Sequence, residues 1–296
     1  MRYGILLALL AAVFWGVSPI FQKRALREAG LLELNAMRGL GALAVILPAL
    51  FFAKPDVLLP GIGSYLIVVA VVFVNNLIGD VLAFIAIRNI GASLATPITN
   101  AYPLAIAVIS WLWFGEKLTY FVLAGTFLVV TGLALLNLRG KAKTDSQPGR
   151  YLYGVASAII AALCWAFGLS LNKYLTLQGV TSTAIIFWRG TIFSFMAWGN
   201  YAIFRTTHPN NTRRLKDISL TGKAASILAG AFSLVLGAWC YTTSVTLIPM
   251  NVATPTATSS PLITALIACL FMGERLRLVQ WLGIVVVVVG AVVVSS

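Results

Sequence analysis

Charge is what this chain has least of. Only 10% of its 296 residues are Asp, Glu, Lys or Arg, where a soluble domain carries about 25%. Too few polar side chains remain to cover a water-facing surface, which argues against a soluble enzyme, a nucleic-acid-binding domain or a disordered protein. Histidine is almost missing: the single copy, His208, sits beside Pro209. The three cysteines, Cys164, Cys240 and Cys269, lie inside apolar runs without metal-ligand spacing and read as small helix-packing residues. No carboxylate pair, Ser-His-Asp set or metal cluster is visible in the sequence, so the chain reads as a non-enzyme with no cofactor and no metal. A Gly-x4-Gly-Lys-Ser/Thr loop is also lacking, which argues against direct nucleotide drive.

What is present is apolar length. Hydrophobic residues make up 60% of the chain, and the mean hydropathy is +0.95. About 20 apolar residues cross a bilayer as a helix. Weakly charged runs at 3–22, 34–53, 57–79 (continuing to about 87), 89–115, 118–138, 151–172, 183–204 and 278–296 each read as one span. The run 224–273 holds no charge and is too long for one span, so the turn at Pro249 divides it. The expected fold is an all-α polytopic membrane protein with ten transmembrane helices.

The two halves copy each other. Tyr3-Gly4, Trp15 and Lys23 recur as Tyr153-Gly154, Trp165 and Lys173. Arg38-Gly39 recurs as Arg189-Gly190, Gly79 as Gly237, and Ala95-Thr96-Pro97 as Ala253-Thr254-Pro255. The offset is 150 at the start and 158 at the end, which fits a longer loop at 205–221. A first helix that is repeated inside the chain reads as part of the mature fold and not as a cleaved leader. The organisation expected is a first repeat at 1–141, a linker at 142–150 and a second repeat at 151–296. Each half holds five helices, and five is odd, so the second half enters the membrane upside down. Inverted repeats are an architecture of secondary transporters.

These residues carry a family resemblance. Trp15-Gly16 with Lys23, Met37-Arg38-Gly39, and Phe114-Gly115-Glu116-Lys117-Leu118 followed by Gly125 and Gly132 have partners in the second half. Those are Trp165, Lys173, Trp188-Arg189-Gly190, and Met272-Gly273-Glu274-Arg275-Leu276 followed by Gly283 and Gly290. The chain resembles the drug/metabolite transporter superfamily in its ten-helix form with two EamA-type repeats. The resemblance implies a carrier that exports amino acids, including aromatic ones, or moves drugs, nucleosides, sugars or other metabolites. Related sugar-phosphate carriers place a basic pair in the ninth helix; none is present here, which argues against a doubly charged phosphate substrate.

The net charge of +13 is spread through short loops and follows the positive-inside rule. Fifteen basic residues fall on one side and four, Arg2, Lys54, Lys117 and Lys173, on the other. The count places both termini outside the plasma membrane (a bacterial or archaeal inner membrane), whereas proteins of the resembled family usually keep them in the cytoplasm. The sequon-like Asn210-Asn211-Thr212 falls on the side read as cytoplasmic and carries no weight.

Polar groups inside the bilayer are costly and need a reason. Asp80, with Asn76 one turn earlier, is either a proton or amine site or a packing hydrogen-bond partner; its repeat mate is Ala238. Pro97 and Pro103, and again Pro255 and Pro261, free backbone carbonyls and bend their helices. The hydroxyls and amides around them, Thr96, Asn100, Tyr102, Thr254, Thr258 and Ser259, therefore read as lining the central pathway. Trp15, Trp165 and Tyr241 either wall that cavity or pack between helices. Lys23, Arg38, Lys173 and Arg189 are candidate anion contacts, with snorkelling or interfacial anchoring as the competing account. Glu116-Lys117 and Glu274-Arg275 read as caps that hold helical hairpins. The glycines Gly125, Gly132, Gly283 and Gly290 read as close-packing elements that also offer a surface for a second copy.

The function expected is secondary transport of small organic metabolites by alternating access: amino acids or related aromatic or zwitterionic compounds, with export favoured. The alternatives are carriage of sugars, nucleosides or drugs, or a non-transport membrane scaffold or sensor. The expected partners are the lipid bilayer, a small-molecule substrate and protons as a coupling ion, with no nucleic acid, in a monomer or weak homodimer.

Overall fold

A computed structural model describes residues 1–53, 56–137, 148–209, 212–272 and 276–295. Lys54, Asn210, Asn211 and the stretch Gly273-Glu274-Arg275 lie outside the described residues. Ten helical elements are present among the described ones: α1 (Arg2–Ala25), α2 (Leu31–Ala53), α3 (Gly61–Ile90), α4 (Ala92–Thr99 and Tyr102–Phe114), α5 (Tyr120–Asn137), α6 (Pro148–Leu177), α7 (Ser182–Thr207), α8 (Leu220–Leu247), α9 (Met250–Ala257 and Ser260–Met272) and α10 (Leu278–Ser295). Eight of them are long and apolar enough by themselves to cross a membrane; α7 and the broken α9 are the other two. Several helices outrun the charge-free stretches. α1 continues past Lys23 and Arg24, and α3 past Arg88. A cation in the last turn faces the negative end of the helix dipole and does not stop the helix.

Sequence chemistry explains the ends. Thr181 Oγ1 accepts from the Ala184 N–H at 3.1 Å at the start of α7, and Ser219 Oγ does the same for Gly222 at 3.1 Å at the start of α8. Gly115 ends α4 in the left-handed region at φ 64°, a conformation that costs glycine little.

The halves interlock. α1 lies against α8 and α9 of the second half, and α6 against α3 and α4 of the first. α2 runs beside α7 and α8, and α5 beside α10. The α5–α10 seam is made of glycines: a Cβ on Gly132 would stand 2.8 Å from the Gly283 carbonyl, and one on Gly290 would stand 2.7 Å from the Val129 nitrogen. Small residues let two backbones touch where lipid offers no hydrophobic drive. The glycines expected to pack closely therefore pack on each other, across the two repeats.

Two irregularities recur at equal places. α3 widens into a π-helix at Phe73–Gly79, and α8 does so at Ala231–Gly237, 158 residues later. α4 breaks at Asn100–Ala101, and α9 at Thr258–Ser259, also 158 apart. Each break falls between the two prolines. Pro103 sits in the first turn of its new helix, where its missing N–H costs nothing.

The helices of this interlock define two faces. One holds both chain ends and the 4–5, 6–7 and 8–9 turns; it is called the terminal face. The other holds the 1–2, 3–4 and 7–8 turns and is the basic face.

Candidate functional site

The π segments receive the repeat-related tryptophans. A Cβ on Gly237 would meet Trp15 Nε1 at 2.7 Å, and one on Gly79 would meet Trp165 Nε1 at 2.8 Å. Only glycine leaves room for an indole to cross there. The indoles then differ in what they bond. Trp15 donates to the Ser233 carbonyl at 3.1 Å, inside the α8 π segment. Trp165 donates to the Asp80 carboxylate at 3.1 Å, one residue past the α3 π segment. The divergence follows from Ala238 standing where Asp80 would be.

Asp80 and Asn76 share a cavity of about 290 Å³ between the start of α2, α3 and the end of α7. The Asn76 carboxamide bonds the Asp80 carboxylate, and the Arg38 guanidinium acts on it through space. Arg38 is buried, as Asp80 partly is. Its Nη1 donates to Asn35 Oδ1 at 2.9 Å and its Nη2 to Ser233 Oγ at 3.3 Å, and its Cζ lies 5.7 Å from the Phe193 ring centroid. Its repeat mate Arg189 has a buried Nε without a hydrogen-bond partner.

A second constellation closes the middle of the molecule. Tyr102 and Trp165 meet edge to face at 6.2 Å. The Tyr102 hydroxyl lies 2.7 Å from Thr258 Oγ1, which also reaches the Thr254 carbonyl at 2.7 Å. Thr254 Oγ1 lies 2.7 Å from the Tyr241 hydroxyl, and the Tyr241 ring is 5.4 Å from Trp15. This relay joins the two tryptophans across both breaks. Ser259 bonds the Thr256 carbonyl at 2.7 Å.

Burial along the two broken helices is unequal. Every residue from Met250 to Ser259 is buried, whereas Thr96, Pro97, Ile98, Asn100 and Ala101 are only half-buried. The terminal face is held by Glu116. Its carboxylate caps the start of α9, accepting from the Met250 N–H at 2.7 Å and the Asn251 N–H at 3.0 Å. Lys173 Nζ stands 3.4 Å from the same carboxylate and donates to the Val245 carbonyl at 2.5 Å. Glu116 thus caps a helix of the other half and not its own hairpin. Lys173 is buried in this contact, while its repeat mate Lys23 is exposed at the end of α1. The repeat mate of Glu116 is Glu274, outside the described residues.

Sequence reading alone did not single out Asn35, Asn200 or Ser233. Each is a polar residue in an apolar helix, and that was the available signal. Among the described residues no three His, Cys, Asp or Glu side chains converge to hold a metal ion.

Two inverted five-helix bundles, tied together by Glu116 at the terminal face and broken at paired places, define a polytopic membrane protein built as a carrier is. Both halves match one family model, the EamA-like transporter family, at residues 2–138 and 152–296. The chain belongs to that family, within the drug/metabolite transporter superfamily, and is a multi-pass transporter. It is similar to an uncharacterized transporter of Archaeoglobus fulgidus, 24% identical over 96% of this chain and 95% of that one. It is similar to the inner membrane protein YtfF of Escherichia coli, 24% identical over 99% of this chain and 95% of that one. An uncharacterized protein of Methanocaldococcus jannaschii matches 47% of this chain over 98% of its own length, at 28% identity. One solved crystal structure superposes with a TM-score of 0.79 over 99% of this chain and 98% of that one; at 14% identity it shows the shared fold alone.

Proposed function

We propose that the protein exports small organic metabolites, amino acids or related aromatic or zwitterionic compounds, by alternating access. The observation that carries this reading is the unequal burial of the two broken helices. The repeats are equivalent in sequence pattern, yet the first part of α9 is fully buried under the Glu116–Lys173 lock while the first part of α4 is half-open. Exchanging those two arrangements between the repeats opens the terminal face and closes the basic one. Inverted halves make the two states similar in energy.

The positive-inside count supports a cytoplasmic basic face with both termini outside, in a carrier of the plasma membrane. The conformation described then corresponds to loading from within. The partly buried Asp80 carboxylate and the rings of Trp15, Trp165, Tyr102 and Tyr241 support an amine-bearing or aromatic cargo, as amino acids are.

The test is release from proteoliposomes preloaded with amino acids, sugars and nucleosides, read by mass spectrometry against protein-free vesicles. Selective, counterflow-stimulated release of amino acids is expected. Release of sugars or nucleosides alone would overturn the cargo, and flux without counterflow stimulation would overturn alternating access.

A further inference from the structure

The inverted repeat gives the 290 Å³ cavity a twin. A cavity of about 490 Å³ lies toward the terminal face, between the end of α2, the start of α7 and α8. The two are built from equivalent positions. Leu32, Asn35, Leu77 and Val81 of the first correspond to Thr183, Ile186, Val235 and Trp239 of the second, and Met196, Ala197 and Asn200 to Val45, Ile46 and Ala49. Their polarity is opposite. The first cavity carries Asn35, Asn76, Asp80 and Asn200. The equivalent residues are Ile186, Leu234, Ala238 and Ala49. Ile186 and Ala49 line the twin, and Leu234 and Ala238 pack beside it with Ala42 and Ile46.

The twin shows that this fold is content with alkyl groups at all four positions. Polar groups at membrane depth are costly unless used, so four of them gathered in one cavity, with Asn200 left without a protein partner among the described residues, point to a ligand. The lining fixes its chemistry. The Asp80 carboxyl group supplies an acceptor, with one oxygen bonded to Trp165. The Asn200 carboxamide is half-buried and makes no hydrogen bond among the described residues. Arg38, which acts on Asp80 through space, donates to Asn35 and Ser233 and does not line the cavity. Carboxylate and amide oxygens offer three acceptors to a group with several N–H donors. Phe84, Phe193 and Met196 offer apolar surface to whatever carries that group. The volume suits a small molecule of this kind.

We infer that this cavity binds a primary ammonium group on a small apolar body, held by Asp80, Asn76 and Asn200, and that the terminal-face twin does not. The inference rests on the carrier reading for its purpose, not for its evidence. Two sources share the chemistry: a free amine solute, or the ammonium of a phosphatidylethanolamine headgroup entering past Phe84 and Phe204, which are exposed at the rim.

The test is binding, independent of flux. Purified protein in phosphatidylcholine nanodiscs is titrated with phenethylamine and, as the uncharged control, 2-phenylethanol, with thermal unfolding as readout. Phenethylamine should raise the melting temperature, and 2-phenylethanol should not. Asp80→Asn and Asn200→Leu should each weaken the apparent affinity by at least about tenfold, the lower end for a charge-assisted hydrogen bond, while keeping the ligand-free melting temperature near wild type. Asn200→Leu guards against a fold loss in the Asp80 variant. Suppression of the response in phosphatidylethanolamine discs, absent in Asp80→Asn, assigns the ammonium to the headgroup; an unchanged response assigns it to the solute. An equal response to both probes, or an Asp80→Asn variant that binds like wild type, overturns the inference. If flux fails while this binding holds, the carrier reading falls and the site stands; if flux holds while binding fails, the reverse.

Discussion

Neutralising Glu116 is expected to unlock the terminal face. Its carboxylate holds two backbone N–H groups at the start of α9 and the Lys173 ammonium at 3.4 Å. Both side chains are only 10% exposed, so solvent screens the pair weakly. At that separation the attraction is about 5 kcal/mol for an effective dielectric near 20. Removing one partner of a buried pair leaves the other charge stranded, at about 3–5 kcal/mol. In Glu116→Gln the amide oxygen still accepts from one backbone N–H, so about 3 kcal/mol is a fair net loss for the closed arrangement. That shifts the closed-to-open ratio on the order of 100-fold. The assay is a cysteine placed at Ala253, which is fully buried behind the lock, with Cys164, Cys240 and Cys269 replaced by alanine. An impermeant maleimide added at the terminal face should label this cysteine slowly in the wild-type background and about 100-fold faster with Glu116→Gln. Lys173→Met should accelerate labelling similarly, and the double variant should add little, because both act on one contact. Unchanged labelling in protein that still unfolds cooperatively would refute the reasoning.

The other predictions follow from separate contacts. Gly132→Leu places side-chain atoms where a Cβ already stands 2.8 Å from the Gly283 carbonyl, so the α5–α10 seam should part; overpacking of this sort costs about 1–3 kcal/mol, read as a lowered melting temperature in detergent. Trp165→Phe removes the indole donor from Asp80 and should lower flux more than Trp15→Phe, whose donor meets only a backbone carbonyl; equal effects in liposomes would count against a special role for Asp80. On the basic face, Glu28 accepts from the Ser219 N–H at 3.0 Å and pairs with Arg24 at 3.4 Å. The Ser219 hydrogen bonds, more than Arg24, hold its carboxyl below the ordinary glutamate value. A depressed folded value means the contact stabilises above the unfolded pKa and is lost as pH falls through the folded one. Glu28→Gln should therefore flatten the decline of melting temperature on acidification, measured from pH 6 downward.

Fold class was legible because the bilayer admits few answers. A stretch of about 20 apolar residues has to be a helix there, so ten spans could be counted, and the Pro249 turn between α8 and α9 fell where it was expected. The glycines matched between the repeats were legible as a pattern, but their purpose was not. Gly79 and Gly237 make room for Trp165 and Trp15 to cross from the opposite half, and no local spacing announces a contact between residues 86 or 222 positions apart. Helix ends were misjudged by a turn because charges were read as stops, whereas Arg24 and Arg88 belong to the last turns of their helices.

Ten helices in two inverted halves could be read before any fold was known, because hydrophobic length, odd helix number and paired motifs are properties of the chain order alone. The sequence also marked where α4 and α9 break, since proline removes a backbone donor wherever it stands. Only the folded molecule shows that Glu116 reaches across to the other half. Glu116 and Lys173 lie far apart in sequence and meet only because α6 and the start of α9 converge on the 4–5 turn. The fold decided, too, that Asn35, Asn76, Asp80 and Asn200 share one cavity, since three helices from both halves must come together before their polar groups can act as a set.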